Sequence, residues 1–170
     1  MMIRLFCYHF IYILIASTHS FGSELPLGAG SFIYKDTKSI SVSPIKVWFF
    51  NPSKSRKKRV LFVMHGIERN GETYRNSWIH HAKQGEYLLL VPEFSKQEFP
   101  DSEQYNLGNM YSQSGTSQPR SKWTFTTIEN LFDYVKTKNK LGVTSYDIYG
   151  HSAGAQFVHR FVLFLSLIHI

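Results

Sequence analysis

Val60-Leu61-Phe62-Val63-Met64 limits what this chain can fold into more than any other segment. Five apolar residues in succession, β-branched and aromatic among them, suit a strand covered on both faces. A strand with one wet face would alternate with polar residues. The run stops at His65-Gly66, and two similar runs follow at residues 87–91, closed by Pro92, and 146–149. Strands buried on both sides need helices over both faces of their sheet. The intervening sequence supplies them. Residues 73–84 run from Thr73 to a stop at Gly85, and residues 124–138 carry an apolar face of Phe125, Ile128, Leu131, Phe132 and Val135. Helix resumes from Ala153. Ahead of these, residues 31–36 and 45–50 read as two strands bounded by Pro44 and by Asn51-Pro52. The alternation predicts an α/β fold, a mostly parallel sheet with helices on both faces. Residues 94–122 interrupt it as a long loop, of a length typical of functional or mobile segments.

Composition narrows the class. With 170 residues, 43% hydrophobic and 18% charged, the chain is expected to fold as one domain and not to be disordered. The first residues read as a signal peptide, 1–22: Arg4 precedes an apolar stretch at 5–16, then small residues with Ser20 or Gly22 last before cleavage. The stretch is too short to span a bilayer, so export without a stable membrane span is expected; the alternative is an uncleaved N-terminal anchor. Residues 23–170 would then be the folded portion. The single cysteine, Cys7, lies in the signal, which excludes a disulfide or thiol nucleophile from the mature chain.

The net charge is +7, much of it in Lys54, Arg56, Lys57, Lys58 and Arg59. Between two apolar segments and beside Pro52-Ser53, this run reads as a solvated hairpin turn. The functional alternative is a patch for an anionic polymer or lipid surface. No aromatic residues interleave with these charges, so no nucleic-acid partner is expected.

The chemistry-bearing motif is Gly150-His151-Ser152-Ala153-Gly154, at the junction of a buried strand and a helix. A serine on so tight a bend needs neighbours almost without side chains, and Gly150 and Gly154 meet that need. Its hydroxyl would stand above the sheet as a nucleophile. The Ala153 amide, at the positive end of a helix, would donate to a developing oxyanion. His65-Gly66-Ile67 ends another strand, where parallel sheets place their ligands. Gly66 would let the backbone approach a substrate and leave the Ile67 amide as second oxyanion donor.

With these residues in view the chain resembles an α/β-hydrolase over residues 31–164, and within that superfamily the exported poly(3-hydroxybutyrate) depolymerase-like esterases. The likeness rests on the two-strand lead-in, the loop at 65–67, Tyr105-Asn106-Leu107-Gly108-Asn109, and G-H-S-A-G at 150–154. The resemblance implies acyl-enzyme chemistry on a small or polymeric carboxylic ester, with Ser152 attacking and a histidine, oriented by an acid, as its base. It implies a substrate loop at Tyr105 and Asn106, and neither metal nor cofactor. Peptide or amide hydrolysis on the same fold is one alternative; a non-catalytic module binding through 54–59 is another.

The chain departs from the family's pattern after Ser152. The order there is nucleophile, acid, base, yet no Asp or Glu follows Ser152, and the only histidines are His159 and His169. His159 lies about 10 Å along the helix, by the standard rise per residue. The expectation is an incomplete domain, its C-terminal strands and helices missing, inactive and poorly soluble through an exposed sheet edge. Residues 165–170 also resemble translated read-through of a sequencing adapter. Elsewhere, His80-His81 read as surface histidines and not a metal site. Glu93 reads either as cleft lining or as a cap. Tyr105, Tyr111 and Trp123 read either as loop anchors or as an acyl-binding surface.

Overall fold

The elements run β1 (Gly28–Tyr34), β2 (Ile45–Asn51), β3 (Val60–Met64), α1 (Gly71–Gln84), β4 (Leu88–Glu93), a 3-10 turn (Arg120–Lys122), α2 (Thr124–Lys138), β5 (Asp147–Gly150) and α3 (Ala153–Ser166). They come from a computed structural model that describes residues 24–39 and 43–166. The expected signal peptide, with Cys7, lies outside the described residues, as do His169 and the tail from 167.

The strands form one sheet in the order β1-β2-β4-β3-β5. β3 pairs in parallel with β4 and with β5, whereas β2 runs antiparallel to both β1 and β4. Four strands thus share one direction and β2 alone opposes them, as a mostly parallel sheet requires.

The continuous apolar runs explain the layering. Along β3, Val60, Phe62 and Met64 face one cluster, with Phe125, Ile128, Leu131 and Phe157 from α2 and α3. Leu61 and Val63 face the other, which Ala82, Tyr74 and Trp78 of α1 cover. All five β3 side chains are buried. Each buried aliphatic of this kind stabilises the fold by about 1.5–3 kcal/mol.

Two local expectations change. The 54–59 run is no hairpin turn, because β4 lies between β2 and β3 and the loop must cross over it. Lys58 is only 6% exposed there, and its ammonium donates to the Ser53 and Ser55 carbonyls at 2.7 Å each. Arg56 pairs with Glu24 and Arg59 with Asp147. Lys58 therefore holds the loop from within, and Arg56 and Arg59 are paired with residues outside it. Second, β4 continues through Pro92 instead of stopping before it. Its pairing with β3 ends at Leu90, so no β3 carbonyl awaits the missing N–H.

Candidate active site

Gly150, the last residue of β5, and Ala153, the first of α3, leave two residues to reverse the chain. Ser152 makes the turn at φ 55°, a left-handed conformation that costs a non-glycine residue about 1–2 kcal/mol. The glycines on either side are required by packing. A Cβ on Gly150 would stand 2.2 Å from the Gly154 carbonyl oxygen, and one on Gly154 would stand 2.2 Å from that of Met64. Strand and helix thus meet in backbone contact, which leaves the Ser152 side chain exposed.

The neighbouring loop, between β3 and α1, comes to the same place. A Cβ on Gly66 would lie 3.7 Å from Ser152 Cβ. Ile67, 64% exposed, borders with Ala153 and Ser152 a cleft of about 620 Å³ that Arg69, Asn106 and Gln156 also line. As the first residue of α3, Ala153 has no helical carbonyl four residues back for its amide. The Gly154 and Gln156 amides donate to the His151 and Ser152 carbonyls at 2.9 and 3.2 Å.

Beneath this loop lies a buried polar cluster that sequence reasoning treated only in part. His65 is fully buried. Its Nε2 accepts the Phe94 N–H at 3.0 Å, so Nδ1 carries the proton and donates to the Gly66 carbonyl at 3.0 Å. Burial drives its pKa down to about 4, with Arg69 contributing in the same direction. Tyr105, expected in a substrate loop, is 0% exposed and cannot meet a substrate. Its ring stacks on His65 at 4.7 Å, and its hydroxyl, whose pKa burial raises, donates to the His65 carbonyl at 2.6 Å. Arg69 lies 4.1 Å over the same ring and donates to the Phe94 and Asp101 carbonyls. The long loop is thus anchored under the site by Tyr105, while Asn106 reaches the cleft and donates to Gln156 Oε1 at 2.9 Å. Tyr111 is exposed and Trp123 half-buried.

His65 gives stability a defined pH dependence. Its folded pKa lies below the ordinary 6.5, so the unfolded chain takes up a proton first as pH falls. The stabilisation is complete above pH 6.5 and is lost between 6.5 and about 4, by about 3 kcal/mol in the limit. Urea midpoints measured across that window should fall with pH, and the fall should shrink in His65→Gln.

The remaining candidates resolve simply. Glu93 is a cap: Oε2 accepts the Gly71 N–H at 2.9 Å, at the start of α1, and the Trp48 indole N–H at 2.8 Å. His81 touches both His80 and Trp78. The described residues contain no group of three or more His, Cys, Asp or Glu fit to hold a metal ion. His159 is exposed on α3. Among the described residues, no helix is long and apolar enough to cross a membrane.

No protein-family model and no curated protein matches the chain. Solved structures do. Poly(aspartic acid) hydrolase-1 from Sphingomonas sp. KT-1 superposes with a TM-score of 0.77 at 45% identity, over 81% of this chain and 52% of its own. The LpqC poly(3-hydroxybutyrate) depolymerase from Bordetella parapertussis gives 0.74 at 28%, over 81% and 47%. The chain has the α/β-hydrolase fold. An S-formylglutathione hydrolase from Agrobacterium tumefaciens shares that fold at a TM-score of 0.58 and 14% identity, over 82% and 55%. The chain spans about half the length of these structures. In the α/β-hydrolase frame, β3 and β5 lie side by side at one edge of the described sheet, and the loops that follow them carry Gly66 and Ser152.

Proposed function

We propose that this chain carries the nucleophile and oxyanion hole of an exported serine hydrolase acting on small or polymeric carboxylic esters. Ser152 Oγ gives its proton to the base and attacks the carbonyl carbon. The ester C–O bond breaks, the alcohol leaves with that proton and an acyl-enzyme remains, which water then hydrolyses to release the acid and return a proton to the serine. The amides of Ile67 and Ala153 receive the oxyanion. The observation that carries the proposal is Ser152 itself: a non-glycine residue held at φ 55° between two glycines, with its Cβ against the Gly66 loop and its side chain in the cleft. Strain of this kind persists where the surroundings enforce it.

The base and the acid that orients it belong, in this proposal, to natural sequence downstream of about residue 165, where adapter-like sequence begins. No acid follows Ser152, and the structures matched are about twice as long. Residues 1–22 are assigned as the export signal and 23–170 as the first part of the hydrolase domain. The test is covalent labelling. Protein extended through the downstream reading frame should react with a fluorophosphonate probe at Ser152, whereas the 170-residue chain should not. An unlabelled extended protein whose Ser152→Ala variant is equally blank would overturn the proposal.

A second reading, hydrolysis of an amide polymer, draws support from the 45% identity to a poly(aspartic acid) hydrolase and from the net charge of +7. Release of aspartate oligomers from poly(aspartic acid), set beside turnover of a simple ester, separates the two. The binding-module reading of 54–59 loses support, since Lys58 is buried and two of its neighbours are paired.

A further inference from the structure

The two proposed oxyanion donors sit on different elements, Ile67 after β3 and Ala153 at the head of α3. Their separation must be held to a fraction of an ångström for both to reach one oxygen. At the level of the sheet, the His151 N–H donates to the Met64 carbonyl at 3.3 Å and ties the two loops once. Further out along the first loop, the tie is made by a side chain from α1. Tyr74 Oη accepts the Gly66 N–H at 3.0 Å and lies 2.9 Å from His151 Nδ1.

Gly66 is held from the other side as well. Its carbonyl accepts the Arg69 N–H at 3.1 Å and His65 Nδ1–H at 3.0 Å. α1 is itself fixed, by Glu93 on Gly71 and by Arg75, whose guanidinium reaches the Gly30 and Phe49 carbonyls. Tyr74 is therefore presented by a helix tied to the sheet to a loop already gripped from below. A Cβ at Gly66 would stand 2.9 Å from Tyr74 Oη and 3.7 Å from Ser152 Cβ, so phenol, loop and nucleophile share one cluster.

We infer that Tyr74 is a positioning residue: through Gly66 and His151 it sets the loop carrying the Ile67 amide against the turn carrying Ser152 and Ala153. The inference rests on the proposed roles of those three residues. It also fixes a proton. In the clamp as inferred, Tyr74 Oη accepts from Gly66 and donates its own hydrogen to a bare His151 Nδ1, so that neutral His151 carries its proton on Nε2. Because the Gly66 N–H is committed to Tyr74, the next amide along, that of Ile67, is the donor left for substrate.

Tyr74→Phe keeps the ring and removes only the hydroxyl. In protein extended through the reading frame, kcat for an ester should fall about 10- to 100-fold with KM changed less than about 2-fold, the cost of a misplaced rather than a missing donor. A wild-type kcat in Tyr74→Phe overturns the inference, and so does a loss confined to KM, which would mean a substrate contact. Ser152→Ala measured alongside separates the two claims. If it still turns over, the nucleophile assignment fails; if it is dead while Tyr74→Phe is unaffected, only the positioning role fails. A readout independent of activity and of the variant's folding is the nitrogen spectrum of labelled His151 in the extended protein, at about pH 8.5. A bare Nδ1 supports the clamp, and a protonated Nδ1 overturns it.

Discussion

Ser152→Ala, in protein extended through the downstream reading frame, is expected to lower kcat for a p-nitrophenyl ester by about 10⁴-fold or more while leaving the melting temperature close to that of the parent. The size follows from the role. Without Oγ no acyl-enzyme forms, and what survives is the acceleration due to binding and to the oxyanion amides, a small remainder in serine hydrolases generally. The unchanged stability follows from the backbone. Alanine meets the same penalty as serine at φ 55°, and the side chain lies in the open cleft, where its loss creates no cavity. Steady-state kinetics together with a thermal melt of both proteins check this. A variant retaining more than about a tenth of the parent rate would remove Ser152 from the chemistry.

Gly154→Ala should do the opposite, acting on the fold before any effect on chemistry can be read. The added Cβ would fall 2.2 Å from the Met64 carbonyl oxygen and 2.7 Å from that of His65. Both atoms are backbone at the end of β3, and Met64 is held in register with Gly150. Nothing flexible can give way, so α3 must lift from the sheet or the β3–β5 ladder must break. The expected loss is about 3 kcal/mol or more, a drop in Tm of about 10 °C for a chain of this size. Gly142→Ala is the internal control. There the nearest atom to the new Cβ is the Arg56 carbonyl oxygen at 3.8 Å, an ordinary contact, and the melt should barely move. If both variants melt alike, the close approach of α3 to β3 is not what these glycines serve.

Much of the architecture was legible because burial on two faces leaves a continuous mark. β3 falls at 60–64 as the apolar run alone indicates, and β4 and β5 lie within about two residues of their expected bounds. β1 begins earlier than expected, at Gly28, since an edge strand whose side chains alternate between exposed and buried contains residues such as Gly28 and Gly30 that resemble a lead-in. The turn at Ser152 was legible for a different reason. Glycines two residues to either side of a serine, between an apolar strand and a helix, are a local steric signature that needs no knowledge of the rest of the chain.

What sequence left open were questions of which surface meets which. Glu93 could be read as lining or cap until Gly71 and Trp48 were seen to converge on its carboxylate. Tyr105 could be anchor or binding surface, and its stacking on His65 decides for anchor. Tyr74 carried no signal at all, being one aromatic among ten tyrosines, on a helix whose inward face could not be picked out from its pattern.

The sequence by itself determined the layers and the turn: β3 and β4 buried on both faces, helices between the strands, and a serine on a bend flanked by glycines. Each of these depends on residues close together in the chain, whose period or size is imposed by the local backbone. The third run, β5, proved to be an edge strand that is only partly buried, with Tyr149 exposed. Only the tertiary structure decided that β4 inserts between β2 and β3, that Tyr105 lies beneath the site and that Tyr74 ties Gly66 to His151. The last two join residues from eight to seventy-seven positions apart, through single hydrogen bonds or ring contacts. Such contacts impose no period on the sequence, so the folded chain alone reveals them.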